Sequence, residues 1–317
     1  MPEGDVVWRT ARRLHAALAG REVLASDLRW PSLATADLSG RRVLEVVSAG
    51  KHLLTRLSGT DGATGTEGAT GVDAGGADAA PLTLHSHLRM EGSWYVERTG
   101  SDGRGRRSSA GVRAVLVTGG WTAVGHKLGM LDLVPTAAEG DLVGHLGPDP
   151  LGPGWDAAEA QRRLLAAPGR PLGEALLDQR VLAGVGTFYL AEACFLAGLS
   201  PWTPVRDLPD PAAFLRLVHR LLHANKDRTG QVTTGDLRRG RQNYAHARSG
   251  LPCLRCGTTV RVAMIGPAPR ERTAFYCPTC QPGPAPTDDG RAQRPLGAQR
   301  RGAARASAAR PAHRTRR

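Results

Sequence analysis

The chain opens Met-Pro-Glu-Gly, a start with a chemistry of its own. A small second residue permits removal of Met1 and leaves Pro2 with a free secondary α-amine. The reference pKa of an α-amine is about 8, so an appreciable fraction is unprotonated at neutral pH. Condensed with an aldehyde carbon, a secondary amine gives an iminium ion that is cationic without needing a proton and is therefore a lasting electron sink. Set against C1′ of a deoxyribose, it can displace a damaged base. The iminium then acidifies the C2′ hydrogen so that the 3′ phosphate leaves by elimination. Glu3 follows at once, and a carboxyl whose pKa is raised by burial could protonate the sugar ring oxygen and open the ring. Alone, Met-Pro-Glu is also a common chance start and decides nothing.

The second set is Cys253, Cys256, Cys277 and Cys280, two C-x₂-C pairs separated by twenty residues that can form a β-hairpin. Four thiolates at this spacing suit one tetrahedral Zn²⁺, and with no open position the ion should be structural. The hairpin could present Arg261, Arg270 and Arg272 to phosphates. Cys194, flanked by Ala193 and Phe195, reads instead as a buried small hydrophobe. His85 and His87 alternate along a strand and so share a face. They could pair on a metal, but ordinary strand packing is the preferred reading.

These residues need elements to position them. Apolar residues at helical spacing from 5 to 18 predict a helix almost at the N-terminus. Short Val- and Leu-rich runs at 21–27, 42–48, 52–57, 82–88, 93–97, 112–118 and 121–124, bounded by Gly, Ser or Pro, predict a sheet-rich first half. The second half changes character, with helices expected at 157–167, 173–179, 187–197, 211–225 and 234–244. Two segments lack the large apolar side chains needed to offset the entropy of ordering: an acidic Gly/Ala/Thr insert at 58–81 and an Arg-rich tail at 282–317. Both are expected to be disordered.

The 317 residues suffice for two domains, and the net charge of +13 favours a polyanionic partner. Nine arginines against Asp288 and Asp289 put more than half of that charge in the tail. No signal peptide or apolar run of membrane-spanning length is visible. A cytoplasmic, nucleoid-associated monomer with no membrane contact is expected, and in a reducing compartment the paired cysteines favour metal over disulfides.

With MPEG at the start, GKHLL at 50–54, HSHLRMEGSW at 85–94, LLDQRVLAGVGTFYLAE at 176–192 and the four-cysteine ribbon, the chain resembles the formamidopyrimidine-DNA glycosylase and endonuclease VIII family from residue 1 to about 281. Five motifs in order are far more specific than any one. The resemblance implies an α+β fold: an N-terminal β-sandwich catalytic domain with flanking helices (1–150), a helix–two-turn–helix DNA-binding domain (151–249) and a zinc finger (250–281). It implies Pro2 as Schiff-base nucleophile, Glu3 as general acid and Lys51 as phosphate-binding lysine. Arg272 falls where the family's finger arginine contacts the backbone, and Met90, flanked by Arg89 and Glu91, where a side chain enters the duplex void. Thr187 replaces an asparagine that contacts phosphate, and the helix it begins is expected to offer amide donors to a phosphate. Val6 replaces a frequent carboxylate, with Asp5 before it. The segment 124–134 lacks the Arg-Phe-Gly loop of purine-directed members, which tilts the reading toward the endonuclease VIII branch and oxidised pyrimidines.

The function implied is a bifunctional DNA glycosylase and abasic-site lyase of base excision repair, acting on damaged double-stranded or single-stranded DNA. The alternatives are the same fold acting on oxidised purines or only on abasic or single-stranded DNA, and a catalytically silent protein that binds damaged DNA.

Overall fold

The computed structural model describes residues 2–60, 80–100 and 109–286. Most of the acidic insert and nearly all of the basic tail lie outside the described residues. Strands β1 (Val23–Leu28), β2 (Val43–Ala49), β3 (His52–Leu57), β4 (Leu82–His87), β5 (Ser93–Arg98), β6 (Val112–Thr118), β7 (Trp121–His126) and β8 (Met130–Pro135) form two antiparallel four-stranded sheets, ordered β1-β6-β7-β5 and β2-β3-β4-β8. They bury one shared core: Val46, Leu53, Leu57, Leu84 and Leu131 from one sheet meet Val23, Leu116, Ala123 and Trp94 from the other. Helix α1 (Gly4–Leu18) adds Val7, Ala11, Leu14 and Leu18 to it. The spacing i, i+4, i+7, i+11 puts those four on one stripe, which is why a helix forms there and lies on β2.

Strand β8 was not expected. Its segment, all but Pro135 of which falls in 124–134, reads as an altered loop in the sequence, yet Met130–Pro135 pairs along the whole of β4, with Met130 opposite His87 and Pro135 opposite Leu82. Pro135 is tolerated because it ends an edge strand and owes no ladder hydrogen bond.

Five helices follow: α2 (Glu139–Val143), α3 (Ala157–Leu165), α4 (Leu172–Leu177), α5 (Thr187–Ala197) and α6 (Pro211–Asn225). Asp156 caps α3 through the Ala158 and Glu159 amides, and Asp210 caps α6, whose first residue is the proline tolerated there. Helix α5 is buried all round, Phe188, Tyr189, Leu190, Ala193 and Cys194 included, so it forms the centre of the helical half. Cys194 is the small core residue its neighbours suggested.

The helix expected at 234–244 is absent. Gly235 and Gly240 take positive φ, +79° and +80°, and the Asp236 carboxylate accepts from the Arg238 amide and pairs with Arg238 and Arg241 in a local turn. Leu237 is 67% exposed, so no apolar face exists to hold a helix there. The loop is fastened instead by the buried carboxylate of Glu192 in α5, which accepts from the amides of Tyr244, Ala245 and His246 and from the Thr233 hydroxyl. From it the chain enters the hairpin β9 (Arg261–Ile265) and β10 (Arg272–Tyr276), which packs on α5.

Candidate active site

Three backbone segments meet at the start of α1. The Gly4 amide donates to Gly184 O at 2.9 Å, and a Cβ on Gly4 would lie 3.0 Å from Gly184 Cα. The β2–β3 turn enters from the other side. Gly50, at φ +56°, sits so close that a Cβ there would be 3.0 Å from Ala183 Cβ. Its amide donates to Asp149 Oδ2 at 2.8 Å, while Asp149 Oδ1 accepts from the Leu151 amide at 2.8 Å. Asp149 thus ties the sandwich to the helical half. Sequence reasoning passed over it, although the run Gly147-Pro148-Asp149-Pro150 carries the turn chemistry that signals such a tie.

Glu3 precedes α1 but caps a different helix. Its side chain is fully buried, with Oε2 accepting from the Gly186 amide at 2.7 Å and Oε1 from the Phe188 amide at 2.8 Å. A longer bond reaches Oε2 from the Tyr189 amide at 3.4 Å. The carboxyl therefore sits at the positive end of α5. Burial pushes its pKa up, while the Lys51 ammonium and the Phe188 amide pull it down. The sequence reading offered these α5 amides to a phosphate. The structure narrows that: the amides of Gly186, Phe188 and Tyr189 are spent on Glu3 and are not free for a phosphate.

Lys51, half-buried, donates from Nζ to Val185 O at 2.7 Å. Burial lowers its pKa, Glu3 opposes that, and the Arg272 guanidinium lowers it further. That influence brings the charge of Arg272, far away in sequence, to bear on the same site. Gln179 of the LLDQ motif holds the turn in shape, donating to Val185 O at 2.9 Å and accepting from the Gly184 amide at 3.0 Å. Pro2, partly exposed, immediately precedes this buried cluster.

The remaining candidates divide. Met90 is 65% exposed at the β4–β5 turn, so it is no core filler. The turn is closed by Gly92, whose amide donates to Leu88 O at 2.8 Å and where a Cβ would lie 2.3 Å from that oxygen. Arg89 is exposed at φ +52°, and Glu91 pairs with Lys127 at 2.7 Å in solvent. Arg272 opens β10 and is exposed, its guanidinium resting on Arg270 O and Glu271 O. Thr187 is only 4% exposed as the first residue of α5, which leaves its hydroxyl little surface for a phosphate.

His85 and His87 do share a face, and β3 adds a third ring. His85, buried, bonds through Nδ1 to Asp132 Oδ2 at 2.9 Å and through Nε2 to His52 Nδ1 at 2.8 Å. Burial, with the neighbouring cationic groups, holds His52 down at about 3 and His87 at about 4, so both are neutral at physiological pH. Among the described residues the set placed to hold a metal ion is Cys253, Cys256, Cys277 and Cys280, with ligand atoms all within 4.8 Å of one another. The Sγ separations of 3.9 Å for Cys253–Cys280 and 3.5 Å for Cys256–Cys277 compare with ~3.8 Å across a tetrahedron of 2.3 Å zinc–sulfur bonds. The donor set therefore fits zinc.

Comparison with known proteins agrees with this architecture. The family model described as the formamidopyrimidine-DNA glycosylase N-terminal domain matches residues 1–120, and that of the formamidopyrimidine-DNA glycosylase H2TH domain matches residues 146–224. The chain is 51% identical to the probable endonuclease 8 2 of Streptomyces coelicolor, over 92% of this chain and 98% of that protein. It is 42% identical to the DNA-(apurinic or apyrimidinic site) lyase Nei2 of Mycolicibacterium smegmatis, over 89% and 99%. Among solved structures, the Lactococcus lactis Fpg in complex with abasic-site DNA superposes with a TM-score of 0.66 at 18% identity, over 89% of this chain and all of that one. With two family domains in order and relatives of this identity along nearly the whole length, the chain belongs to the formamidopyrimidine-DNA glycosylase and endonuclease VIII family.

Proposed function

We propose that this protein excises oxidised bases from DNA and cuts the strand at the resulting abasic site, with the α-amine of Pro2 as nucleophile. The observation that carries the reading is the buried Glu3 carboxyl, one residue from that amine, seated on the α5 amides with Lys51 beside it. The names of the relatives, endonuclease 8 and abasic-site lyase, support it. Proteins named endonuclease 8 2 match at 51% and 40% identity and those named formamidopyrimidine-DNA glycosylase at 31–34%, which favours the branch associated above with oxidised pyrimidines.

In the chemistry proposed, the uncharged Pro2 nitrogen bonds to C1′ as the damaged base leaves with the glycosidic electron pair and takes the proton that the nitrogen sheds. Glu3 then gives its proton to O4′ as the C1′–O4′ bond breaks and the nitrogen lone pair forms the iminium. Loss of the C2′ proton to water expels the 3′ phosphate. Lys51, Arg272 and the exposed Arg89 supply positive charge for the DNA backbone. The four cysteines would hold zinc as a structural ion, supplying four protein thiolates and taking no part in the reaction.

Borohydride trapping on an oligonucleotide with one abasic site tests the mechanism. Wild-type protein should form a covalent adduct that a protein extended by residues before Pro2 loses at least ~100-fold, because an acylated nitrogen has no lone pair to give. Equal trapping by the extended protein would sink the proposal.

Met90 gives a second, separable result. Extruding a nucleotide costs a few kcal/mol of unstacking, and an exposed apolar side chain that fills the gap offsets part of it. Met90→Ala should slow excision from duplex DNA by about tenfold, equivalent to ~1.4 kcal/mol. Cleavage of a single-stranded abasic oligonucleotide should be unchanged, since nothing there is unstacked. Equal losses on both substrates would assign Met90 another role.

A further inference from the structure

The turn that carries Met90 and the β7–β8 turn lie side by side because of the strands that enter and leave them. The β4–β5 turn (88–92) crosses from the β2-β3-β4-β8 sheet to the β1-β6-β7-β5 sheet, and the β7–β8 turn (127–129) crosses back. Their ends are paired in both sheets, His87 with Met130 and Ser93 with His126. The 88–92 turn thus spans, with more residues, the gap that 127–129 spans with fewer. Its surplus must bulge outward, and Met90 is the midpoint. Leu88 and Leu128, 2% and 4% exposed, anchor the two turns in the sandwich core, whereas Met90 stands in solvent.

Direct contacts join the turns. The Gly129 amide donates to His87 O at 2.9 Å, and Lys127 Nζ pairs with Glu91 Oε2 at 2.7 Å. The Arg89 side chain lies across Gly129, where a Cβ would be 2.0 Å from Arg89 Cγ and 2.6 Å from Arg89 Cβ. Arg89 at φ +52° and Lys127 at φ +49° both occupy the left-handed region, which large side chains avoid unless their surroundings hold them there. The holding bonds run from the Arg89 amide to His87 Nδ1 at 2.9 Å and from the Lys127 amide to Gly111 O at 2.7 Å.

We propose that Lys127 and Gly129 are positioning residues for Met90: the 127–129 turn is a rigid seat that keeps the 88–92 turn fixed, with Met90 projecting before DNA is bound. The inference rests on the reading of Met90 as the side chain that fills the duplex void. A wedge ordered in advance loses little conformational entropy on entering the stack, whereas a loosened turn must be ordered at that moment. Lys127 holds the turn through Glu91, and Gly129 holds it by having no side chain where Arg89 passes.

The test compares single and double variants in single turnover with saturating enzyme, on a duplex holding one thymine glycol and on a single-stranded abasic oligonucleotide. Gly129 has no positive φ, so alanine there acts through Arg89, whose Cβ cannot rotate away. Gly129→Ala should slow duplex excision about tenfold, as Met90→Ala does, and Lys127→Ala about threefold, the size of an exposed ion pair. Neither should slow single-strand cleavage. Placed in the Met90→Ala protein, neither should cost anything further, because the side chain they position is gone. A direct contact of Lys127 with DNA, or general damage to the sandwich, would instead give the same loss in both backgrounds and overturn the proposal. So would a folded Gly129→Ala protein with the wild-type duplex rate. If Gly129→Ala fails to fold, the exposed Lys127→Ala decides alone: a loss confined to the wild-type background supports the seat, and no loss or equal losses sink it. Failure of the Met90 reading looks different, since Met90→Ala by itself would then slow both substrates equally or neither.

Discussion

Gly186→Ala is expected to reduce strand cleavage at least a hundredfold, a loss of about 2.7 kcal/mol in transition-state stabilisation. A Cβ at this position would lie 2.5 Å from both Cδ and Oε1 of Glu3. The carboxyl cannot retreat cheaply, because it is fully buried and bonded to the very backbone that carries the new methyl group. One carboxylate–amide bond of this charge-assisted kind is worth roughly 1.5–3 kcal/mol, and overpacking a buried site costs ~1–3 kcal/mol of stability. Single-turnover cleavage of an abasic oligonucleotide and a thermal melt would read the two effects separately. Glu3→Gln is the companion variant: it keeps the shape and removes the transferable proton. A Gly186→Ala protein with wild-type cleavage would show that the Glu3–α5 contact is not needed for chemistry.

The second large effect is expected from losing the four-cysteine site. Cys277→Ala, or treatment with a strong chelator, should release zinc and collapse the hairpin of β9 and β10, since structural zinc contributes on the order of 10 kcal/mol in small fingers. The damage should spread in one direction. Val260, Phe275 and Cys277 share a small core with Ala191 and Phe195 of α5, whereas the sandwich has its own core. DNA affinity and cleavage should therefore fall together, by a hundredfold or more, as Arg272 is lost from the neighbourhood of Lys51. Far-ultraviolet circular dichroism should keep most of the sandwich signal. Metal analysis on the purified protein supplies the reference: about one zinc per chain in wild type and none in Cys277→Ala. Undiminished DNA binding by the metal-free protein would remove the finger from the interface.

The β-rich first half and the helical second half were legible because their side-chain periods differ, and β3, β6, α5 and α6 lie where the sequence placed them. Two segments misled. Met130–Pro135 lies in a segment that reads as a loop, and it becomes a strand because β4 offers an open edge along which it pairs. The stretch 234–244 has helix-compatible residues but no apolar face, and the Asp236 turn with two glycines at positive φ outcompetes a helix.

For the candidate site, the sequence by itself determined the reactive set: the Pro2–Glu3 start that could supply an amine and an acid, and four cysteines whose spacing suits one metal ion. Order along the chain sufficed for these because the chemistry resides in the residue types. What only the tertiary structure decided is who holds whom. Glu3, not a phosphate, occupies the α5 amides; Asp149 joins the two halves; and Gln179 and Lys51 meet on one carbonyl. Each is a contact between segments far apart in sequence, made where burial removes water and leaves every polar group dependent on a specific partner. No local pattern encodes that dependence. Pro2 thus has a known chemical type from its place in the chain, and its working environment from the fold.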